Sequence, residues 1–238
     1  MGTYLMPSVV VARRSALEQV GLFDPSAVPV EDWDLWLRLA DAGSFVYLSL
    51  ALCRYRTRGG TLQELLRRAS DKVMDSITYV IRKTVESQPQ RYPAAFGDHA
   101  LGMTRASSAL ASYELGDTPR GRRMMTLAVE ADPVLAQREH LTWMLENHAR
   151  RIVDDTGDET KAIHFLDQVI HNLPPGVDAA ELSARRVLSR IYLADVFRAA
   201  DAQDRTSMRR KLWAGLRLDP TWLMNRGVLS LMARSLFA

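Results

Sequence analysis

The 238-residue chain has one cysteine, Cys53, which rules out an internal disulfide and a thiolate metal cluster and fits a reducing compartment. Cys53 lies in an apolar run, so a core position is expected for it. The chain has no uninterrupted apolar run of about 18 residues and no basic-then-apolar leader. A protein without a transmembrane segment is therefore expected, cytoplasmic or peripheral to a membrane. Neither sign of charge is in large excess: 31 Lys+Arg face 28 Asp+Glu, net +3, and the first 60 residues carry six of each. The basic clusters Arg122-Arg123, Arg185-Arg186 and Arg209-Arg210-Lys211 sit among acids at helical spacing without interleaved aromatics. That pattern reads as solvated helix faces and not as a nucleic-acid footprint. The pairs His140/His148 and His164/His171 lie eight and seven residues apart, spacings that read as surface or packing residues, and no metal site is expected.

What the chain does have is a 47% hydrophobic composition, enough for one large or two small domains. It also has one stretch that looks like a site, Val30-Glu31-Asp32-Trp33-Asp34-Leu35-Trp36-Leu37-Arg38-Leu39. Pro25 and Pro29 punctuate the approach and Gly43 stops the run, predicting a helix over 31–42. On such a helix Glu31, Asp34, Arg38 and Asp41 share a polar face, and Trp33, Leu37 and Ala40 an apolar one. Asp32 instead heads a stripe of Leu35, Trp36 and Leu39. Partial desolvation there would raise its pKa toward that of a useful base, while the helix N-terminus favours the ionised form. The plainer reading is a capping carboxylate.

The run Pro7-Ser8-Val9-Val10-Val11-Ala12-Arg13-Arg14-Ser15-Ala16-Leu17, then Val20-Gly21-Leu22-Phe23-Asp24, then Glu31 to Arg38, resembles the C-terminal half of the catalytic domain of family 2 glycosyltransferases. So does the ending, Tyr47-Leu48-Ser49-Leu50-Ala51-Leu52 followed by Tyr55-Arg56. The resemblance covers roughly residues 3–60. It implies a GT-A type α/β domain that binds a nucleotide-sugar donor and transfers the sugar, with inversion, to a glycan or lipid-linked acceptor. Asp32 then stands as the base that deprotonates the acceptor hydroxyl and Glu31 supports it, while Trp33 or Trp36 shapes the acceptor pocket. Core packing is the alternative role for either tryptophan. A divalent metal, Mg or Mn, is implied by the family alone. Its usual Asp-x-Asp ligands lie on the donor half, which these residues do not supply, and the only local match, Asp32-Trp33-Asp34, occupies the base position. Where many relatives have Tyr-Arg-x-His, this chain has Tyr55-Arg56-Thr57-Arg58. A guanidinium at Arg58 cannot ligate a metal, but Arg56 and Arg58 can pair with substrate phosphate oxygens.

Within the first 60 residues, Val9-Val10-Val11, Phe45-Val46-Tyr47-Leu48 and Leu52-Cys53-Arg54-Tyr55 read as strands, and Arg14 to Val20 as a helix closed by Gly21. Three short strands and two helices bury little, so this incomplete α/β segment, residues 1–60, needs a partner. Gly59-Gly60 reads as the hinge to an α-helical domain over 61–238. There Leu62, Leu65, Leu66, Ala69, Val73, Ile77, Val80 and Ile81 predict a long amphipathic helix ending before Pro89.

Beyond Pro89 the sequence repeats. Gly116-Asp117, Gly157-Asp158 and Gln203-Asp204 each place an Asp 16 residues before a proline, Pro133, Pro174 and Pro220. Aligned on the Asp, one column reads Met125, Leu166, Leu212; another Val129, Ile170, Leu216; a third Ala128, Val169, Gly215. The units resemble a divergent tetratricopeptide-type array of helical hairpins. The whole chain is thus expected to be mainly α. The first function expected is a glycosyltransferase represented by its acceptor half, inactive without a donor-binding half. The alternative is a non-catalytic scaffold that docks a protein partner on its helical repeats, and an array that merely steadies the enzyme is the plainer role for that region.

Overall fold

The computed structural model describes residues 5–54, 69–177, 179, 182–202 and 204–236. Among these are ten α-helices and no β-strand, so the fold is mainly α. The chain falls into two compact units, Met1–Leu135 and Ala136–Ala238. Gly59 and Gly60, read as a hinge, lie outside the described residues, as does the start of the helix expected from Thr61.

In the first unit, α1 (Arg14–Val20) ends at Gly21, whose positive φ of 77° is the left-handed region where a side chain would be strained. Helix α2 (Glu31–Ala42) follows a 3₁₀ turn at Pro25–Ala27 and stops at Gly43. Both apolar faces of α2 are used. Leu35, Trp36 and Leu39 pack against Ala16, Leu17 and Val20 of α1. Trp33 and Leu37 join Val73, Ile77, Val80 and Ile81 of α3 (Asp71–Ser87). The serine preceding α3, Ser70, caps it by accepting from Val73 N–H.

Helices α4 (Ala94–Glu114) and α5 (Thr118–Ala131) form a tight hairpin through Gly116. Small residues let them close: a Cβ on Gly121 would lie 2.9 Å from Tyr113 ring carbons, and one on Gly102 would lie 2.9 Å from Leu135.

The second unit holds α6 (Arg138–Thr156), α7 (Glu159–His171), α8 (Ala184–Asp201), α9 (Arg205–Leu218) and α10 (Arg226–Leu236). Ser189 Oγ donates to the Gly215 carbonyl at 2.7 Å, and a Cβ on Gly215 would lie 3.0 Å from Leu193 Cγ. His148 is buried and stacks on Phe165 with centroids 4.5 Å apart.

The repeat is built on caps. Asp117, Asp158 and Asp204 each precede a helix and accept from its first-turn N–H groups: Arg120 at 3.1 Å, Thr160 at 2.9 Å and Ser207 at 3.0 Å. Met125, Leu166 and Leu212 are buried, as are Ala128, Val169 and Gly215, while Val129 and Ile170 lie at the margin. A second Asp recurs before a proline. Asp132 accepts from Val134 N–H and Asp219 from Thr221 N–H, each opening a 3₁₀ turn after its helix.

Among the described residues the strands expected in the first segment are absent. Pro7–Val9 is a 3₁₀ turn, and residues 43–54 have no regular structure and are exposed throughout, Cys53 included, which therefore is not a core residue. The reason is physical: a strand is stabilised by a neighbour, and among the described residues 43–54 find none. Their backbone bonds among the described residues are local, Gly43 N–H to the Leu39 carbonyl and Leu52 N–H to the Leu50 carbonyl. Val46 is 84% and Tyr47 87% exposed, so the apolar side chains that would cover a sheet face lie in solvent.

Candidate functional site

The carboxylates of α2 divide into two groups. Asp34 is 2% exposed and forms ion pairs with Arg38, 2.5 Å away one turn on, and Lys83 of α3 at 2.8 Å. Arg38 also donates to the carbonyls of Val20, Gly21 and Leu22, closing the loop after α1 onto α2. Lys83 reaches past Asp34 to Asp24 at 2.6 Å, and Tyr79 O–H donates to the same carboxylate at 2.9 Å. The hydrogen bonds from Lys83 and Ser26 N–H, with a lesser one from Tyr79, hold Asp24 far below the usual carboxylate range against the opposing effect of burial. Burial alone would lower the Lys83 pKa, yet the hydrogen bonds to Asp24 and Asp34 leave it raised. Asp41 at the other end is similarly engaged by Gln88, Tyr92 and Arg91, the last at 2.6 Å.

Glu31 and Asp32 stand apart from this network. Asp32 is partly buried, and its Oδ1 accepts from Trp33 N–H at 2.8 Å. No ion pair to either carboxylate is formed among the described residues. Glu31 Oε2 is buried without a hydrogen-bond partner among them. Trp33 is half-buried beside this pair, whereas Trp36 is 9% exposed and its Nε1–H donates to the Leu5 carbonyl at 2.8 Å. The structure therefore places Trp36 in the core, while Trp33 packs on the cluster of Val73, Ile77, Val80 and Ile81 and meets Asp32 through its backbone N–H. Arg56 and Arg58 lie outside the described residues.

The residues present do not fit a metal of the family's kind. Asp34, the second acid of Asp32-Trp33-Asp34, is occupied by two cations, and among the described residues no group of three or more His, Cys, Asp or Glu is placed to hold an ion. Of the partners of Asp34, Arg38 shares its helix face by period, but Lys83 was not legible in the sequence, because it is distant along the chain and no local pattern connects the two. The tie between Asp24 and Lys83 was invisible for the same reason. No helix among the described residues is long and apolar enough to cross a membrane.

No family model, no curated protein and no solved structure matches this chain.

Proposed function

We propose that the first segment is the acceptor-side part of a family 2-type glycosyltransferase, with Asp32 as the base that takes the acceptor hydroxyl proton and Glu31 as its support. The observation that carries this reading is the division of labour on α2. Asp34 and Asp41 are tied into ion pairs, while Asp32 and Glu31, at the helix N-terminus beside Trp33, pair with no cation among the described residues. A carboxylate neutralised by Arg or Lys is a poor base, so the uncommitted one is the candidate. In the proposed reaction the acceptor oxygen, losing its proton to Asp32, bonds to the sugar carbon as the donor's diphosphate leaves from the opposite side.

The exposed apolar stretch 43–54 supports the same reading. Such a sequence becomes a strand when it adds to a sheet edge, and a donor-binding half from another segment or another chain would provide one, completing the α/β fold. The nucleotide-sugar and its phosphate contacts, Arg56 and Arg58 included, belong to that completed site.

The test starts with the intact mass of the native polypeptide in its source cells, followed by sugar transfer from nucleotide-sugar donors by that polypeptide or its native complex. Asp32→Asn is expected to lower turnover by about 10²- to 10⁴-fold while leaving nucleotide binding intact. Unchanged turnover would reject the base assignment.

One observation favours the scaffold reading: Trp143 of α6, Phe197 of α8 and Trp213 of α9 each leave about half their surface exposed. A protein partner held there would be lost from pull-downs on replacing these aromatics with Ser, and retained on Asp32→Asn.

A further inference from the structure

The two halves of the second unit differ in charge. Residues 184–238 carry eleven Lys+Arg and four Asp+Glu, a formal +7, whereas residues 136–183 carry four and nine, a formal −5. An excess of one sign confined to part of a chain marks a surface for a partner of the other sign. Helix α9 shows where that excess is presented.

Met208, Leu212 and Leu216 of α9 face inward, in one cluster with Leu193 and Val196 of α8 and Val228 of α10. On the outer side Arg209, Arg210, Trp213 and Arg217 recur at the spacing of one helix face and are all exposed, Trp213 with 52% of its surface open. Arg209 and Arg210 pair with no carboxylate among the described residues. Arg217 is held by Glu159 of α7 at 2.8 Å. Beside the stripe, Asp195 of α8 is shared by Arg150, Arg198 and Lys211, the last at 2.9 Å, so one acid meets three cations and two positive charges are left over. By sequence the run Arg209-Arg210-Lys211 reads as a solvated helix face. The structure divides it, turning Lys211 onto Asp195 and leaving the two arginines outward beside an indole.

We propose that the outer face of α9 docks on an anionic lipid surface, with Arg209 and Arg210 on lipid phosphates and Trp213 at the headgroup level. An acidic polypeptide that docks on a helix uses a groove for its apolar anchors, whereas α9 presents these side chains on an outward ridge. A planar array of phosphates suits such a ridge: arginines spread over about 12 Å of helix meet separate headgroups, while the indole sits between water and acyl chains. The helix is already held by the unit's core, so docking has no folding cost. Each arginine near such a surface contributes about fivefold to binding. The proposal does not depend on the Asp32 assignment, and it gives Trp213 a partner different from the protein of the scaffold reading.

The experiment is flotation of the full chain with vesicles, in which self-associated protein sinks and bound protein rises. Vesicles of phosphatidylcholine with about 30% phosphatidylglycerol are expected to carry the chain at about 0.05 M salt and to release most of it at about 0.5 M; phosphatidylcholine alone should carry little. Arg209→Gln with Arg210→Gln is expected to weaken binding about 20-fold or more, and Trp213→Ser about fivefold. The pair Arg122→Gln with Lys161→Gln, exposed cations on other helices, removes the same charge and should change binding less than about threefold. The proposal is overturned if the anionic vesicles do not carry the chain, if neutral ones carry it equally, or if the α9 variants bind as the control pair does. It is also overturned if polyglutamate, which presents negative charge without a bilayer, binds as tightly as the vesicles; the partner is then an acidic polypeptide.

Discussion

Replacing Asp34 by Asn separates the structural acid of α2 from the proposed catalytic one. Removing one member of a buried ion pair costs about 3–5 kcal/mol, because the charge left behind stays desolvated. Here the orphaned cations keep other partners: Arg38 retains the carbonyls of Val20, Gly21 and Leu22, at 2.6, 2.8 and 2.9 Å, and Lys83 retains Asp24. The cost therefore belongs at the low end, about 3 kcal/mol. Asp32→Asn, by contrast, keeps a capping oxygen at a helix N-terminus, and a change of no more than about 0.5 kcal/mol is expected. Urea unfolding is the assay, with Trp143, Trp213 and Trp222 changed to Phe so that fluorescence reports Trp33 and Trp36 of the first unit alone. With a denaturant slope of about 2 kcal/mol/M, Asp34→Asn lowers the midpoint by about 1.5 M and Asp32→Asn by under about 0.3 M. Equal shifts in the two variants would refute the division of labour on α2 and, with it, the main support for Asp32 as a base.

Other perturbations test the rest of the fold. Asp195 of α8 is held down to about 2: burial alone would raise its pKa, but hydrogen bonds from Arg150, Lys211 and Arg198 outweigh it. A depressed carboxylate stabilises the folded state above its unfolded pKa, so about 2 kcal/mol is expected to be lost as pH falls from about 4 to 2. Asp195→Asn should flatten that acid limb of the second unit's melting curve. Gly121→Ala drives a methyl group into the Tyr113 ring and is expected to cost about 1–3 kcal/mol in thermal or urea unfolding; a neutral result would mean that the α4–α5 hairpin is looser than described. Asp158→Ala removes the acceptor for Thr160 and Lys161 N–H and should cost about 1 kcal/mol, whereas Asp158→Asn or Asp158→Ser should recover most of it.

What could be read from the sequence was local. The limits of α2 follow from Pro25, Pro29 and Gly43, and those of α5, α7 and α9 from an aspartate cap and a later proline, because caps and breakers act within a turn or two of themselves. Which apolar residues face inward followed from period alone for Met125, Leu166 and Leu212. The strands failed for the converse reason. Val9 to Val11 and Phe45 to Leu48 have the composition of strands, but pairing is a property of two segments, and composition reports only one. The site was legible to the same degree. Glu31 and Asp32 could be singled out by position, yet the fact that isolates them, Lys83 and Arg38 closing on Asp34, depends on α3 packing against α2. The burial of Trp36 beneath Leu5 is likewise tertiary, and the doublets Asp132-Pro133 and Asp219-Pro220 were a local signal that went unread.

The exposed stretch after α2 also governs how the molecule behaves in quantity. From Ala42 to Cys53 there is neither a charge nor a proline, and Asp41 and Arg54 are the only gatekeepers at its ends. A β-prone, uncharged window lying open in solvent is a template for its own copies, since two such stretches can satisfy each other's backbone groups edge to edge. Loss of monomer should therefore rise steeply with protein concentration and slow when Tyr47 or Leu50 is changed to Lys, and a segment that covers 43–54 in the cell would act as a solubility device as much as a structural one.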